Sequence, residues 1–182
     1  VPIAGNHFTN DLAIGLRTTV KDAERIKREY GAACFDMMQQ GQGKEIKVEM
    51  VQGGKTRTVE QSEVISILGP RAQELLSIVH EEIITRHMEH LLVSGFVITG
   101  GGSLLEGISN VAEEMMHVPV RIGKPHILKD EPEMLNNPMY ATGYGLLIHA
   151  TKERHGAESY TEDKNGINRL LTKMKSWVSD FF

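Results

Sequence analysis

Three consecutive glycines, Gly100–Gly102, separate a short apolar run, Phe96-Val-Ile-Thr99, from Ser103-Leu-Leu-Glu-Gly107. A backbone without Cβ atoms lets a ligand approach closely, and a helix beginning beside it offers unpaired N–H groups. The amphipathic stretch Leu104–Met116 follows at once, so the segment reads as strand, tight turn and helix, which suits a nucleotide. An ordinary strand-to-helix turn has the same composition, and the glycines alone leave both readings open. Glu24, Lys27 and Arg28 lie three and four residues apart, the spacing of a solvated charge set on a surface helix. His80, His87 and His90 fall near one face of a predicted long helix, but neither a cysteine nor a carboxylate set accompanies them, so a wet helix face is expected there and no metal site. No Ser/His/Asp or paired-carboxylate arrangement stands out, and no catalytic residue is assigned.

The elements that must position these groups follow from periodicity and punctuation. Thr9 is a plausible N-cap for a helix over 10–16, and Lys21–Tyr30 predicts a second, closed by Gly31. Residues 45–51 alternate apolar and charged side chains, and Gly53-Gly54 turns them into a second strand over 55–59, a hairpin with one wet face. Ser62 is placed to cap a short helix over 63–68 that Gly69-Pro70 breaks. Arg71–Leu92 is the longest helical pattern, with Leu75, Leu76, Val79, Ile83 and Leu91 on one stripe. Phe96–Thr99 and Val118–Ile122 read as strands. Met139–Lys152 reads as a helix rich in small residues (Ala141, Gly143, Gly145), which implies close approach to a neighbouring backbone. Gly156–Gly166 is polar and reads as a linker.

The chain has 182 residues, 40% hydrophobic and 24% charged, with a net charge of −4. That balance fits a globular domain and gives no general attraction to nucleic acid. A single cysteine, Cys34, excludes an internal disulfide framework and fits a reducing compartment. No run is long and apolar enough to span a bilayer, and no secretory signal is visible. The start, Val1-Pro-Ile, lacks a methionine and reads like the end of a strand, as in a fragment.

The last sixteen residues carry a second signal. Ile167, Leu170, Leu171, Met174, Trp177, Val178, Phe181 and Phe182 fall within an arc of about 140° at 100° per residue. Arg169, Lys173 and Lys175 flank the stripe. This is the pattern of a helix lying in a membrane interface, with Trp177 suited to headgroup level and the cations to anionic lipid. A helix packed on its own domain, or in a partner's groove, has the same pattern.

Val1-Pro-Ile-Ala-Gly-Asn-His-Phe-Thr-Asn-Asp-Leu-Ala resembles the segment that follows the second phosphate motif in the FtsA family of actin-like bacterial cell-division proteins. Ala23-Glu-Arg-Ile-Lys-Arg28 is similar to the helix lining the adenosine in actin, MreB and Hsp70-type ATPases, and Ile98-Thr-Gly-Gly-Gly-Ser103 to their adenosine motif. Pro119–Pro125 and Tyr140–Leu147 continue the FtsA pattern, and Lys175–Phe182 resembles its membrane-targeting helix. The resemblance implies an α/β fold, the second lobe of an actin-like (ribonuclease H-like) ATPase with a small α+β subdomain carrying the hairpin. Residues 1–20 and 93–155 would form subdomain 2A, 21–92 subdomain 2B, 156–166 the linker and 167–182 the membrane helix. It implies adenosine contacts from Glu24, Lys27, Arg28, Gly100, Gly101, Gly102 and Ser103, with ATP and Mg2+ shared with an N-terminal lobe whose phosphate motifs this chain lacks. At Arg57 and Arg71 it implies basic positions for the C-terminal peptide of FtsZ. Polymerisation, other division proteins as partners, and peripheral attachment to the cytoplasmic face of the inner membrane at the division site belong to the same expectation. An MreB- or PilM-like scaffold, or an active Hsp70- or sugar-kinase-type ATPase, is the alternative, and the terminal helix separates them.

Overall fold

The computed structural model describes residues 4–37, 44–51, 54–127 and 132–157, with side chains up to 151. The chain divides into two compact units, one ending at Tyr144 and one beginning at Gly145.

Helix α1 spans Gly5–Gly15 and α2 spans Val20–Tyr30. α1 starts well before Thr9, which is therefore not its cap. Starting at Gly5 puts Phe8, Leu12 and Leu16, all fully buried, on one stripe facing α2 and the later helices. α2 begins behind Thr19, whose hydroxyl accepts from Asp22 N at 3.1 Å. Gly31 does end α2, but in an extended rather than left-handed conformation (φ −74°, ψ 134°). What it supplies is room: a Cβ there would lie 2.3 Å from the Lys27 carbonyl oxygen and 2.9 Å from Leu68.

Strands β1 (Glu45–Glu49) and β2 (Thr56–Glu60) form the expected antiparallel hairpin, with Ile46 opposite Val59 and Val48 opposite Arg57. Ile46, Val48 and Val59 are buried on one face. Helix α3 then runs unbroken over Gln61–Thr85, with Pro70 inside it. A mid-helix proline costs about 3 kcal/mol. Here Val64 and Leu68 before it, and Ala72 and Leu76 after it, are buried in one core, and Ile65 is buried as well. At roughly 1.5–3 kcal/mol for each large side chain, that burial outweighs the break. α3 ends at Thr85, short of Leu92, so of the three histidines only His80 stands on it; His87 lies in the following turn and His90 in a 3-10 segment over Glu89–Ser94.

Strands β3 (Phe96–Ile98) and β4 (Val120–Ile122) pair in parallel, connected through helix α4 (Ile108–Met116). Parallel pairing needs such a crossover. α4 packs on α3 through Ile108, Val111 and Ala112, which extends the core of α1, α2, α3 and the hairpin. Helix α5 spans Ala141–Ala157, so residues 156 and 157 of the predicted linker are helical. The expected backbone approach at its glycines is absent: a Cβ on Gly143 or Gly145 would meet no atom within 4 Å among the described residues. No described helix is long and apolar enough to cross a membrane.

This packing predicts opposite effects at neighbouring positions of α3. Leu68→Ala should lower stability by about 2–5 kcal/mol. Pro70→Ala, at an exposed site, should raise it by restoring a helical N–H donor. Thermal unfolding of both variants measures the difference, and a destabilised Pro70→Ala would mean the proline is accommodated without strain.

Candidate functional site

Helix α2 divides into three sectors at 100° per residue. Ala23 and Ile26 are buried in the core, with Tyr30 packed beside them. Asp22, Arg25 and Glu29 occupy an arc of about 60° beside the hairpin, and Glu24, Lys27 and Arg28 an arc of about 100° on the far side.

The first polar sector clamps β1. Asp22 is 7% exposed, and its Oδ2 accepts from Glu49 N at 3.0 Å. Arg25 donates to Asp22 Oδ1 at 2.9 Å, to Glu29 at 2.9 Å and to the Lys47 carbonyl at 3.0 Å. The Thr18 hydroxyl donates to the Glu49 carbonyl at 2.6 Å and lies 3.2 Å from Asp22 Oδ2, and Thr18 also pairs with Met50. Burial alone would raise the Asp22 carboxyl, but the Glu49 N–H, the Arg25 guanidinium and Thr18 together outweigh it and hold the carboxyl below its ordinary value.

The second polar sector joins all three predicted adenosine residues of α2 in one network. Lys27 donates to Glu24 Oε2 at 2.6 Å, and Arg28 donates to Glu24 Oε1 at 3.1 Å. Thr9, from α1, donates to Glu24 Oε2 and accepts from Lys27 at 2.9 Å. Burial again pushes the Glu24 carboxyl up, and the Lys27 and Thr9 hydrogen bonds with the two cationic charges bring it below its ordinary value.

The chain that follows the glycine loop lies against the end of this helix. Ala32 bridges to Glu106 in parallel register, Ala33 N donates to the Glu106 carbonyl at 2.7 Å, and a Cβ on Gly31 would lie 3.1 Å from Leu105. Arg28 is three residues from Gly31, about 4.5 Å along the axis. The structure thus ties residues 31–33, just past the end of α2, to Leu105 and Glu106, just past the glycine loop. The loop does not pass straight into a helix: residues Gly101–Leu104 form a 3-10 turn and α4 begins only at Ile108, behind Gly107 at φ +76°. The Ala32–Glu106 bridge takes up the intervening chain, so the free N–H groups of α4 do not adjoin the glycines. Gly100 has φ +89°, its N–H donates to the Pro138 carbonyl at 3.0 Å, and its own carbonyl accepts from Ser103 Oγ at 2.8 Å. Nothing described lies within 4 Å of where a Cβ on Gly100 or Gly102 would stand. The loop is internally tied and open outward, a cradle that side chains would fill.

The two predicted partner arginines are not brought together. Arg57 lies on the packed face of the hairpin, opposite Val48, and reaches out to Glu63 at 2.8 Å, with its Nε buried without a partner among the described residues. Arg71 forks onto Asp11 through Nε and Nη2 and also bonds Glu74. Glu63 and Arg71 stand eight residues apart on α3, about 12 Å of rise. Ile167, Leu170, Leu171, Met174, Trp177, Val178, Phe181 and Phe182 lie outside the described residues. Among those described, no group of three or more His, Cys, Asp or Glu is placed to hold a metal ion. Thr9, Thr18, Asp22 and Arg25 were not singled out from the sequence as site residues. Their partners are 15 to 31 residues away, a separation no local periodicity reports.

A protein-family model described as cell division protein FtsA matches residues 1–145. The chain is 35% identical to the cell division protein FtsA of Pseudomonas aeruginosa and 31% identical to that of Escherichia coli, in each case over 100% of this chain and 45% of the relative. The FtsA of Bacillus subtilis is 31% identical over 84% of the chain and 33% of its own length. The chain thus spans about half the length, or less, of these relatives. Among solved structures, MreB5 of Spiroplasma citri bound to ADP matches 88% of this chain and 48% of its own with a TM-score of 0.67 at 18% identity. The same protein bound to AMPPNP gives 0.66 at 17%, over 86% and 46%. The fold is that of an actin-like lobe.

The Asp22 clamp makes stability depend on acid. Its carboxyl is lower in the folded than in the unfolded chain, so its contribution is complete at neutral pH and is lost as pH falls below about 4, through the folded value. Asp22→Asn should cost about 1–3 kcal/mol at pH 7. The gap to wild type should narrow as the pH drops in denaturant titrations; a constant gap would show that the charge plays no part.

Proposed function

The chain belongs to the cell division protein FtsA family, and on that premise we propose that it forms the adenosine-side half of an actin-like division adaptor. It would bind ATP, with Mg2+, in a cleft completed by the part of its relatives that it does not span. Glu24 supplies an acceptor for ribose hydroxyls, the Lys27 and Arg28 stems offer apolar cover for a base, and Gly100–Ser103 give a backbone surface without side chains. What supports this reading is the Ala32–Glu106 bridge, which joins the chain just past α2 to the chain just past the glycine loop, together with the open space at Gly100 and Gly102. The nucleotide acts as a structural switch, favouring one lobe arrangement over another.

The remaining functions follow from the family. Filaments of the adaptor would be tethered to the cytoplasmic face of the inner membrane by residues 167–182, and FtsZ would be held through its C-terminal peptide at the surface bearing Arg57 and Arg71. Other division proteins would join at the same place. The sequence pattern of the terminal stripe and its flanking cations supports the tether.

Gly102 gives the cleanest test of the nucleotide site, because it has ordinary φ and open space around it, so a side chain there costs the fold little. Gly102→Val in the complete gene product should weaken ATP binding at least about tenfold with an unchanged melting temperature. Wild-type affinity in that variant would place the nucleotide elsewhere. For the tether, removing residues 167–182, or Trp177→Glu, should abolish co-sedimentation with vesicles containing anionic lipid; sedimentation unchanged by the deletion would rule out an anchor.

A further inference from the structure

We propose that Thr9 is a positioning residue for ribose recognition, acting through Glu24; the inference rests on the nucleotide reading given above. Lys27 has three N–H donors, and all three are engaged inside the protein: Glu24 Oε2 at 2.6 Å, Thr9 Oγ1 at 2.9 Å and the Gly5 carbonyl at 3.3 Å. Its side chain is only 17% exposed. The ammonium therefore holds neighbours in place and has no donor left for a ligand. Glu24 is used unevenly. Its Oε2 is gripped by both Thr9 and Lys27, while among the described residues Oε1 accepts from Arg28 alone.

A carboxylate oxygen has two acceptor positions, so Oε1 keeps one open, on the side where Arg28 is 60% exposed. A hydroxyl of a ribose diol donates to such a position. Thr9 is 3% exposed and touches no ligand itself. Its β-branched side chain has few rotamers, and its hydroxyl also lies 3.3 Å from the Gly5 carbonyl one turn back, an arrangement that fixes the oxygen. Thr9 and Lys27 thus form a two-point hold on one carboxylate edge that aims the other edge outward.

The test compares ATP with 2′,3′-dideoxy-ATP as equilibrium ligands of the complete gene product. Thr9→Val should weaken ATP about tenfold and leave dideoxy-ATP unchanged, while Thr9→Ser restores wild-type binding. Lys27→Met, which keeps the apolar stem and removes the ammonium, should reproduce the loss of discrimination and keeps the test open should Thr9→Val fold poorly. In a Glu24→Ala background Thr9→Val should have no further effect. Equal weakening of both nucleotides, or wild-type ATP affinity in Thr9→Val, overturns the positioning role. Wild-type ATP affinity in Glu24→Ala overturns the site itself, and is distinguishable because it fails without any change at Thr9.

Discussion

A buried carboxylate is costly unless its acceptor positions are filled, and Asp22 meets that demand with partners from three places in the chain. Thr18 comes from the turn before α2, Arg25 from the helix itself, and the Glu49 N–H from β1. Satisfying them all leaves α2 one rotation about its axis. That rotation puts Ala23 and Ile26 into the core, and it turns Glu24, Lys27 and Arg28 to the side away from the hairpin. The proposed ligand groups are oriented by a charge that none of them touches.

The same constraint explains what could be read in advance. The hairpin was legible because its alternation has a single interpretation: Ile46, Val48 and Val59 had to face inward together, and that sets the register. α2 was legible over 21–30 with Gly31 closing it, whereas its capping Thr19 was not singled out. Boundaries failed where tertiary packing overrode local signals. Thr9 looks like a cap by type, but Phe8 and Leu12 need a helix already under way. Gly69-Pro70 looks like a break, but buried residues on both sides keep α3 intact, and Gly69 lets α3 approach Ala33, where a Cβ would lie 3.0 Å from the carbonyl oxygen. The glycine loop was recognisable as a tight turn after a strand, yet the turn between it and α4 depends on Glu106 meeting Ala32, a contact across more than seventy residues.

The site shows the same division. The resemblance pointed to Glu24, Lys27 and Arg28, whose spacing by itself reads as a solvated surface set, and the structure draws them into one network. Which of them has capacity to spare follows only from counting donors and acceptors in three dimensions. Lys27, the natural candidate for a phosphate or base contact by charge, is the most fully committed of the three, whereas Glu24 retains an acceptor position.

Donor counting also ranks the two arginines as anchors for the acidic peptide proposed above. Arg57 makes one bond to a half-exposed carboxylate, Glu63. Pairs of that kind contribute about 0–1 kcal/mol, so an incoming carboxylate could replace Glu63 at little cost. Arg71 is forked onto Asp11 with two parallel bonds and holds Glu74 besides, which joins α1 to α3. A peptide that captured Arg71 would have to release a contact between two core helices, whereas one that captured Arg57 would release only a neighbour at the start of α3. Of the two, Arg57 is the arginine that can change partners without disturbing the fold that presents it.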